Sequence, residues 1–337
     1  MAHQLDYQTG KPAIAYIGET PWHQLGSRLQ PGADLLTWQT QAGLDWTAER
    51  TTVNYDWHFV DVDGNINVEK RRSDDNIVLY RSDTGNVLSI VSDRYKPVQP
   101  RQIIEFYRDL TEKYGFELET AGSLKDGRKI WALANTKNVV TLRGDDTVKG
   151  YLLLATSFDG SMATQARFTS VRVVCNNTIS IATQGRADVT VPHSTSFNAD
   201  QVKIDLKLGD AWAAFSENAQ KMTQRIVDKE ETTRFLLDVY YNIANDDDIR
   251  RFKQENDKAE ETMKKFNDRM VKALFDSPGA HLASARGTLW GVLNAVTRDI
   301  DFNAPARSQE NRLNAAWFGK GGSIKDKAWA KALAMVA

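Results

Sequence analysis

Hydrophobic positions along the first 200 residues switch repeatedly between period 2 and period 3.6, so short strands and short helices alternate there. Asp34 is placed to N-cap a helix over 35–44 with Trp38 on its apolar face, and 45–54 alternates as a strand. Ile77–Ser82 and Val87–Ser92 flank Asp83-Thr84-Gly85-Asn86, a hairpin signal. Pro100 opens a helix in which Ile103, Phe106, Tyr107, Leu110 and Tyr114 recur at helical spacing. A second hairpin, Phe116–Leu124 with Lys129–Asn135, turns at Asp126-Gly127; a long strand, Val148–Ser157, turns at Asp159-Gly160 into Ser161–Phe168. Val171, Val174, Cys175, Thr178 and Ala182 then fall at i, i+3, i+4, i+7 and i+11, which predicts a helix with Arg172 and Asn176 one turn apart on another face.

Beyond the polar linker 192–198 the pattern becomes helical. Two long helices are predicted over 208–239 and 249–275, broken at Asn245-Asp246-Asp247-Asp248 and ended by Pro278-Gly279. A last apolar helix covers 289–296, and Gly319-Lys320-Gly321-Gly322 reads as a flexible connector. The expected class is α+β: a hairpin-rich N-terminal sheet with packed helices, followed by a helical C-terminal region. The expected division is a core at 1–198, a charged helical arm for packing or oligomerisation at 199–278 and a basic segment at 279–337.

Composition narrows the classes of function. With 337 residues, 41% hydrophobic and 26% charged, the chain is globular rather than disordered. It has no apolar run of the length a membrane helix needs and no signal-peptide pattern, so a soluble, cytoplasmic protein is expected. One cysteine, Cys175, excludes an internal disulfide and a Cys-built zinc site. On the apolar face of the predicted helix its thiol would be inert. Five scattered histidines give no metal-binding spacing, and no catalytic motif survives. Asp61-Val62-Asp63-Gly64-Asn65 resembles a calcium loop only superficially: its glycine stands at position 4, and Arg72 would fall where a bidentate carboxylate is required. A hairpin turn is the better reading. No cofactor is expected.

Net charge is −1 but unevenly spread. Residues 121–186 carry nine bases against four acids, residues 200–275 sixteen acids against fourteen bases, and residues 281–337 eight bases against four acids. Basic residues interleaved with aromatics on a sheet suit a single-stranded nucleic acid, whose phosphates take Lys and Arg while bases stack on rings. The candidate site is therefore Lys125, Arg128, Lys129, Arg167, Arg172 and Asn176, with Arg94 and Lys96 at its edge and Tyr95 or Trp131 as stacking surfaces. The partner expected is single-stranded DNA or RNA. A protein-interaction module working through the charged helices is the second reading.

Three stretches carry a resemblance: Thr20-Pro21-Trp22-His23-Gln24-Leu25-Gly26, Thr169-Ser170-Val171-Arg172-Val173-Val174-Cys175-Asn176-Asn177-Thr178, and Gly287-Thr288-Leu289-Trp290 through Gly319-Lys320. They resemble the uncharacterised "phage/plasmid-like protein" family, which implies a mobile-element setting in a bacterial host. The order helix, strand, hairpin, helix over 35–114 also resembles the β-β-β-α core of phage single-strand annealing proteins of the Red-beta, RecT and Erf type. That resemblance implies strand annealing without ATP, a homo-oligomer, and replication or recombination proteins as partners.

Overall fold

In the computed structural model the described residues are 6–7, 10–18, 25–172, 177–180, 188–305 and 315–337. Two sheets organise the N-terminal part. The larger has eight strands: β1 (Ile14–Tyr16), β2 (Ser27–Arg28), β6 (Glu117–Leu124), β7 (Lys129–Leu142), β8 (Asp146–Ser157), β9 (Thr164–Arg172), β10 (Asn177–Ser180) and β11 (Asp188–Val191). Their order is β10-β9-β8-β7-β6-β1-β2, with β11 also pairing β9; among the described residues only the β1–β2 pair is parallel. The smaller sheet is the meander β3 (Ala48–Val60), β4 (Ile66–Arg81) and β5 (Val87–Ser92).

One face of the large sheet packs on α1 (Leu35–Gln41), α2 (Pro100–Glu105), α3 (Arg108–Tyr114) and the small sheet, burying Trp38, Trp46, Leu79, Ile103, Phe106, Leu152, Leu154 and Phe158. The Tyr107 hydroxyl lies 2.7 and 2.9 Å from the Ala132 and Leu152 carbonyls, fixing the paired helices over β7 and β8. Asp34 caps α1 through the Thr37 amide at 2.7 Å, as its position predicts. The helix expected over 100–114 is two helices meeting at Phe106–Tyr107.

The chain then adds α4 (Ala199–Asp205), α5 (Leu208–Gln224), α6 (Lys229–Tyr241), α7 (Asp246–Glu255), α8 (Ala259–Phe275), α9 (Leu289–Arg298), a π-helical turn at Asp299–Asn303 and α10 (Lys320–Ala334). The predicted long helices are each divided. Residues 225–228 run extended, Ile226 bridging Thr288, before Asp228 and Glu231 form a capping box that opens α6. Asn245 caps α7 through the Asp248 amide, as expected, and Asn256–Lys258 separate α7 from α8.

The helices pack against the large sheet. Phe215, Met222, Phe235, Phe266, Trp290, Leu293 and Trp329 share one core with Leu142, Val148 and Phe168 of the large sheet. Asp146, fully buried at the start of β8, joins the halves by accepting from Ser284 Oγ at 2.6 Å and Trp290 Nε1 at 3.1 Å. The C-terminal segment belongs to the same core, and its glycines are packing residues rather than a connector. A Cβ on Gly321 would lie 2.7 Å from Ile300 Cγ2 and 2.9 Å from the Ala315 carbonyl. The fold is thus α+β, with strands leading and helices packed toward the C-terminus.

One predicted element is overturned. The described parts of the predicted helix are strand: β9 continues to Arg172 and β10 pairs back on it, Arg172 opposite Asn177 and Ser170 opposite Ile179. The run Val171, Val173, Val174, Thr178, Ile179 and Ile181 is β-branched, a preference that outweighs the accidental 3.6 spacing. Cys175 and Asn176 lie outside the described residues, as does the Trp22-His23 pair.

Candidate nucleic-acid interface

The alternation of β7 decides where the candidate residues point. Ile130, Ala132 and Ala134 face the first core, so Lys129, Trp131 and Leu133 face the other side. That second face is covered too, by Trp317, Phe318 and neighbours. Trp131 is consequently 2% exposed and unavailable for base stacking. Lys129 is 5% exposed, with its ammonium 5.8 Å from the Phe318 ring. Desolvation, reinforced by Lys125, pushes the Lys129 amine below its ordinary value, with Asp159 opposing. Arg167, also on the covered face, pairs with Asp326 of α10 at 3.5 Å.

Tyr95 is buried as well. Its hydroxyl donates to the Ser157 carbonyl at 2.7 Å, and its ring stacks on His193 with centroids 4.3 Å apart. Burial pushes its phenol up to about 12. His193, whose ring nitrogens lie 3.4 Å from the Lys96 carbonyl and 3.1 Å from the Met162 carbonyl, is pushed down chiefly by burial. Tyr95 and Trp131 are therefore corrected from stacking surfaces to core residues. Lys129 and Arg167 become half-internal charges, and Arg172 is placed only by its strand pairing with Asn177 and Val148.

Three candidates, Arg94, Lys96 and Arg128, are exposed, and a fourth, Lys125, is half-buried in the turn before Arg128. The β6–β7 turn has left-handed backbone at Lys125 (φ 54°), Asp126 (58°) and Gly127 (93°). Gly127 is needed there, because a Cβ would press within 3.0–3.2 Å of Arg81 and Trp46. The turn presents Arg128, whose Nε donates to the Leu88 carbonyl of β5 at 3.0 Å, leaving the rest of an exposed guanidinium outward. The Arg128 carbonyl accepts from the Phe158 amide at 2.8 Å, and the same 157–162 loop receives the Tyr95 hydroxyl. Arg94 and Lys96 flank Tyr95 and are exposed. These contacts bring Arg128 and the Arg94–Lys96 segment to one seam, where the small sheet meets the end of the large one, with Lys125 half-buried in the same turn as Arg128.

Sequence reasoning missed a fifth member, Arg50 of β3, which is exposed and reaches the Asp93 carbonyl at 2.5 Å. It lies 44 residues before Arg94, and only the β3–β4–β5 pairing brings it there. Arg81, in contrast, is a buried structural cation: it pairs with Asp6 and Asp83 and lies 4.5 Å over the Trp46 ring. Asp93 and Asp126, both exposed, are sequence neighbours of these cations.

A ribbon rises from this seam. Beyond the register shift at Thr52/Asn54, β3 and β4 continue as a two-stranded hairpin, 54–72, most of whose residues are exposed. Its tip is the Asp61–Asn65 segment read as a turn, where the Asp61 carboxylate accepts from the amides of Asp63 and Asn65 at 3.0 and 2.9 Å. Trp57 stacks on Phe59 with centroids 4.4 Å apart, and Arg71 lies 3.6 Å over the Trp57 ring. Among the described residues there is no cluster of three or more metal-ligating side chains, and no helix long and apolar enough to cross a membrane.

These features define an α+β protein built on one large antiparallel sheet, with a β-meander and ribbon at one end and a helical half packed against it. Residues 87–317, more than two thirds of the chain, match the family described as Domain of unknown function (DUF932), and the chain belongs to that family. The match begins at β5 and leaves out the ribbon. No curated protein and no solved structure matches the chain.

Proposed function

We propose that this protein binds a single nucleic-acid strand, DNA in the first instance, along the seam formed by Arg50, Arg94, Lys96, Lys125 and Arg128, and serves strand annealing for a phage or plasmid. The observation that carries the reading is that three separated stretches of chain bring four exposed cations, Arg50, Arg94, Lys96 and Arg128, and the half-buried Lys125 to the junction of the two sheets. Two of the guanidiniums are held by backbone carbonyls, so they present their remaining N–H groups at low entropic cost. Phosphates neutralised along such a seam leave base edges free to meet a complement, a process that breaks no covalent bond and calls for no ATP. The order β3–β4–β5 followed by α2 and α3 agrees with the β-β-β-α arrangement of annealing proteins.

The test is binding of a labelled oligonucleotide by Arg94→Gln/Arg128→Gln. Weakening by about tenfold or more, with Lys137→Gln unchanged, supports the proposal, since Lys137 sits midway along β7, paired with Glu117 and eight residues beyond the turn. Equal affinity in all three proteins overturns it. A second reading, contact with a host or anti-defence protein, is favoured by the exposed apolar side chains of the ribbon, and co-purification of one protein without DNA affinity would select it.

A further inference from the structure

The ribbon poses a physical problem that the rest of the fold does not solve. A two-stranded hairpin with solvent on both faces is marginal in water, yet this one displays Tyr55, Trp57, Val60, Ile66 and Val68. Its outer strand is also unprotected. β3 is the terminal strand of its sheet, and over 13 residues it contains no proline and no lysine, the usual guards of an edge. Among the described residues no strand pairs with that edge, and the Gln99 side-chain amide covers it only at its root, at Ala48.

We infer that the distal part of β3 pairs with the same strand of a second copy of this chain, antiparallel, about a two-fold axis through Trp57. The strand is self-complementary in that register. Trp57 faces its own symmetry mate, Tyr55 faces Phe59 on the same side, and on the other side Asp56 faces His58 in both directions. Moving the axis one residue either way sets Asp56 against Asp56 or His58 against His58, and like groups directly opposite are unfavourable for the carboxylates. The product is a four-stranded sheet made from two ribbons, with the aromatic rings shared across the junction and the stack of Arg71 on Trp57 kept at each end. The cross-strand contacts already present set Asp56 opposite Lys70 and His58 opposite Val68 on that other face, so Lys70 and Asp56 are the charged groups neighbouring the new pair. The inference is independent of nucleic-acid binding, which uses the ribbon's root and not its edge.

Cysteine cross-linking tests the register. Residues directly opposite in an antiparallel pair have Cα atoms about 4.5–5.5 Å apart, within disulfide reach. With Cys175 replaced by serine, Trp57→Cys is expected to oxidise to a covalent dimer. Asp56→Cys and His58→Cys are each expected to stay monomeric on non-reducing gels but to cross-link when mixed. In the unmodified background, sedimentation is expected to show a concentration-dependent dimer of the wild type. That dimer is lost in Asp56→Arg and regained in Asp56→Arg/His58→Asp. These positions are exposed, so circular dichroism should be unchanged. A wild type that stays monomeric at 100 µM, or cross-linking of Asp56→Cys alone, or a dimer indifferent to Asp56→Arg, overturns the inference.

Discussion

Asp299 opens the π-helical turn fully buried, and its carboxylate is held from two directions. Arg269 of α8 donates through Nε at 3.0 Å and through a terminal nitrogen at 3.3 Å, and the Tyr240 hydroxyl of α6 donates at 2.9 Å. Replacing Arg269 by methionine keeps most of the aliphatic stem but strands a buried charge with one hydroxyl. Losing one partner of a buried pair costs about 3–5 kcal/mol. Arg269 keeps 28% of its side chain in solvent, so water reaches the site and the lower figure, about 3 kcal/mol, applies. At about 2.1 cal/mol/K per residue, the unfolding entropy of a chain this long is about 0.7 kcal/mol/K, and the melting temperature should fall by about 4 °C. The double variant Arg269→Met/Asp299→Asn removes the charge together with its partner and should recover at least half of the loss. Scanning calorimetry or urea titration of these two variants, of Asp299→Asn and of the wild type closes the cycle. If Arg269→Met costs under 1 kcal/mol, or the double variant is no better than the single one, the Asp299 network is not what holds α6, α8 and the π-turn together.

Three further outcomes follow from the same structure. Asp146→Ala should destabilise by about 2–3 kcal/mol by orphaning Ser284 and the buried Trp290 indole, read as a shift in urea midpoint; a cost within error of zero would remove Asp146 as the link between sheet and helices. Burial pushes the Asp238 carboxyl up, but Lys327 and Lys331 more than offset this and hold it below its ordinary 3.8. Its stabilising contribution is then complete above that value and lost as pH falls through the lower folded value, so Lys327→Met/Lys331→Met should lose stability at neutral pH and show a flatter acid limb; parallel acid limbs would refute this. Gly321→Ala should cost about 1–3 kcal/mol through contact with Ile300 and the Ala315 carbonyl, whereas a neutral effect would return the 319–322 segment to the status of a connector.

Turn chemistry made most of the N-terminal half legible. Asp83-Thr84-Gly85-Asn86, Asp126-Gly127 and Asp159-Gly160 each sit between the strands they were expected to join. The strands that sequence pattern mishandled are those whose two faces are alike. Both faces of β7 are covered, so Lys129 and Trp131 could not be told from exposed residues by alternation alone. Both faces of the ribbon are in solvent, so the aromatic alternation Tyr55, Trp57 and Phe59 marks no buried side, and the sequence pattern identifies only the tip. In the described stretches 169–172 and 177–180, β-branched composition outweighs the helical spacing of the apolar positions. At the candidate interface, Arg94, Lys96, Lys125 and Arg128 were recoverable because they flank turns. Arg50 depends on a pairing across some forty residues and left no local signal.

The salt dependence of single-strand binding tests the central claim most directly. Five phosphate contacts on a single strand predict a slope of log K against log salt of about −3.5, or roughly a 3,000-fold loss of affinity between 50 and 500 mM. Removing two of the cations, as in Arg94→Gln/Arg128→Gln, should flatten that slope to about −2. A fluorescence-anisotropy titration of a labelled oligonucleotide at four salt concentrations measures both. Slopes near these values would agree with phosphate neutralisation along the seam. No binding at 50 mM, or a slope near zero that the double variant leaves unchanged, would contradict it.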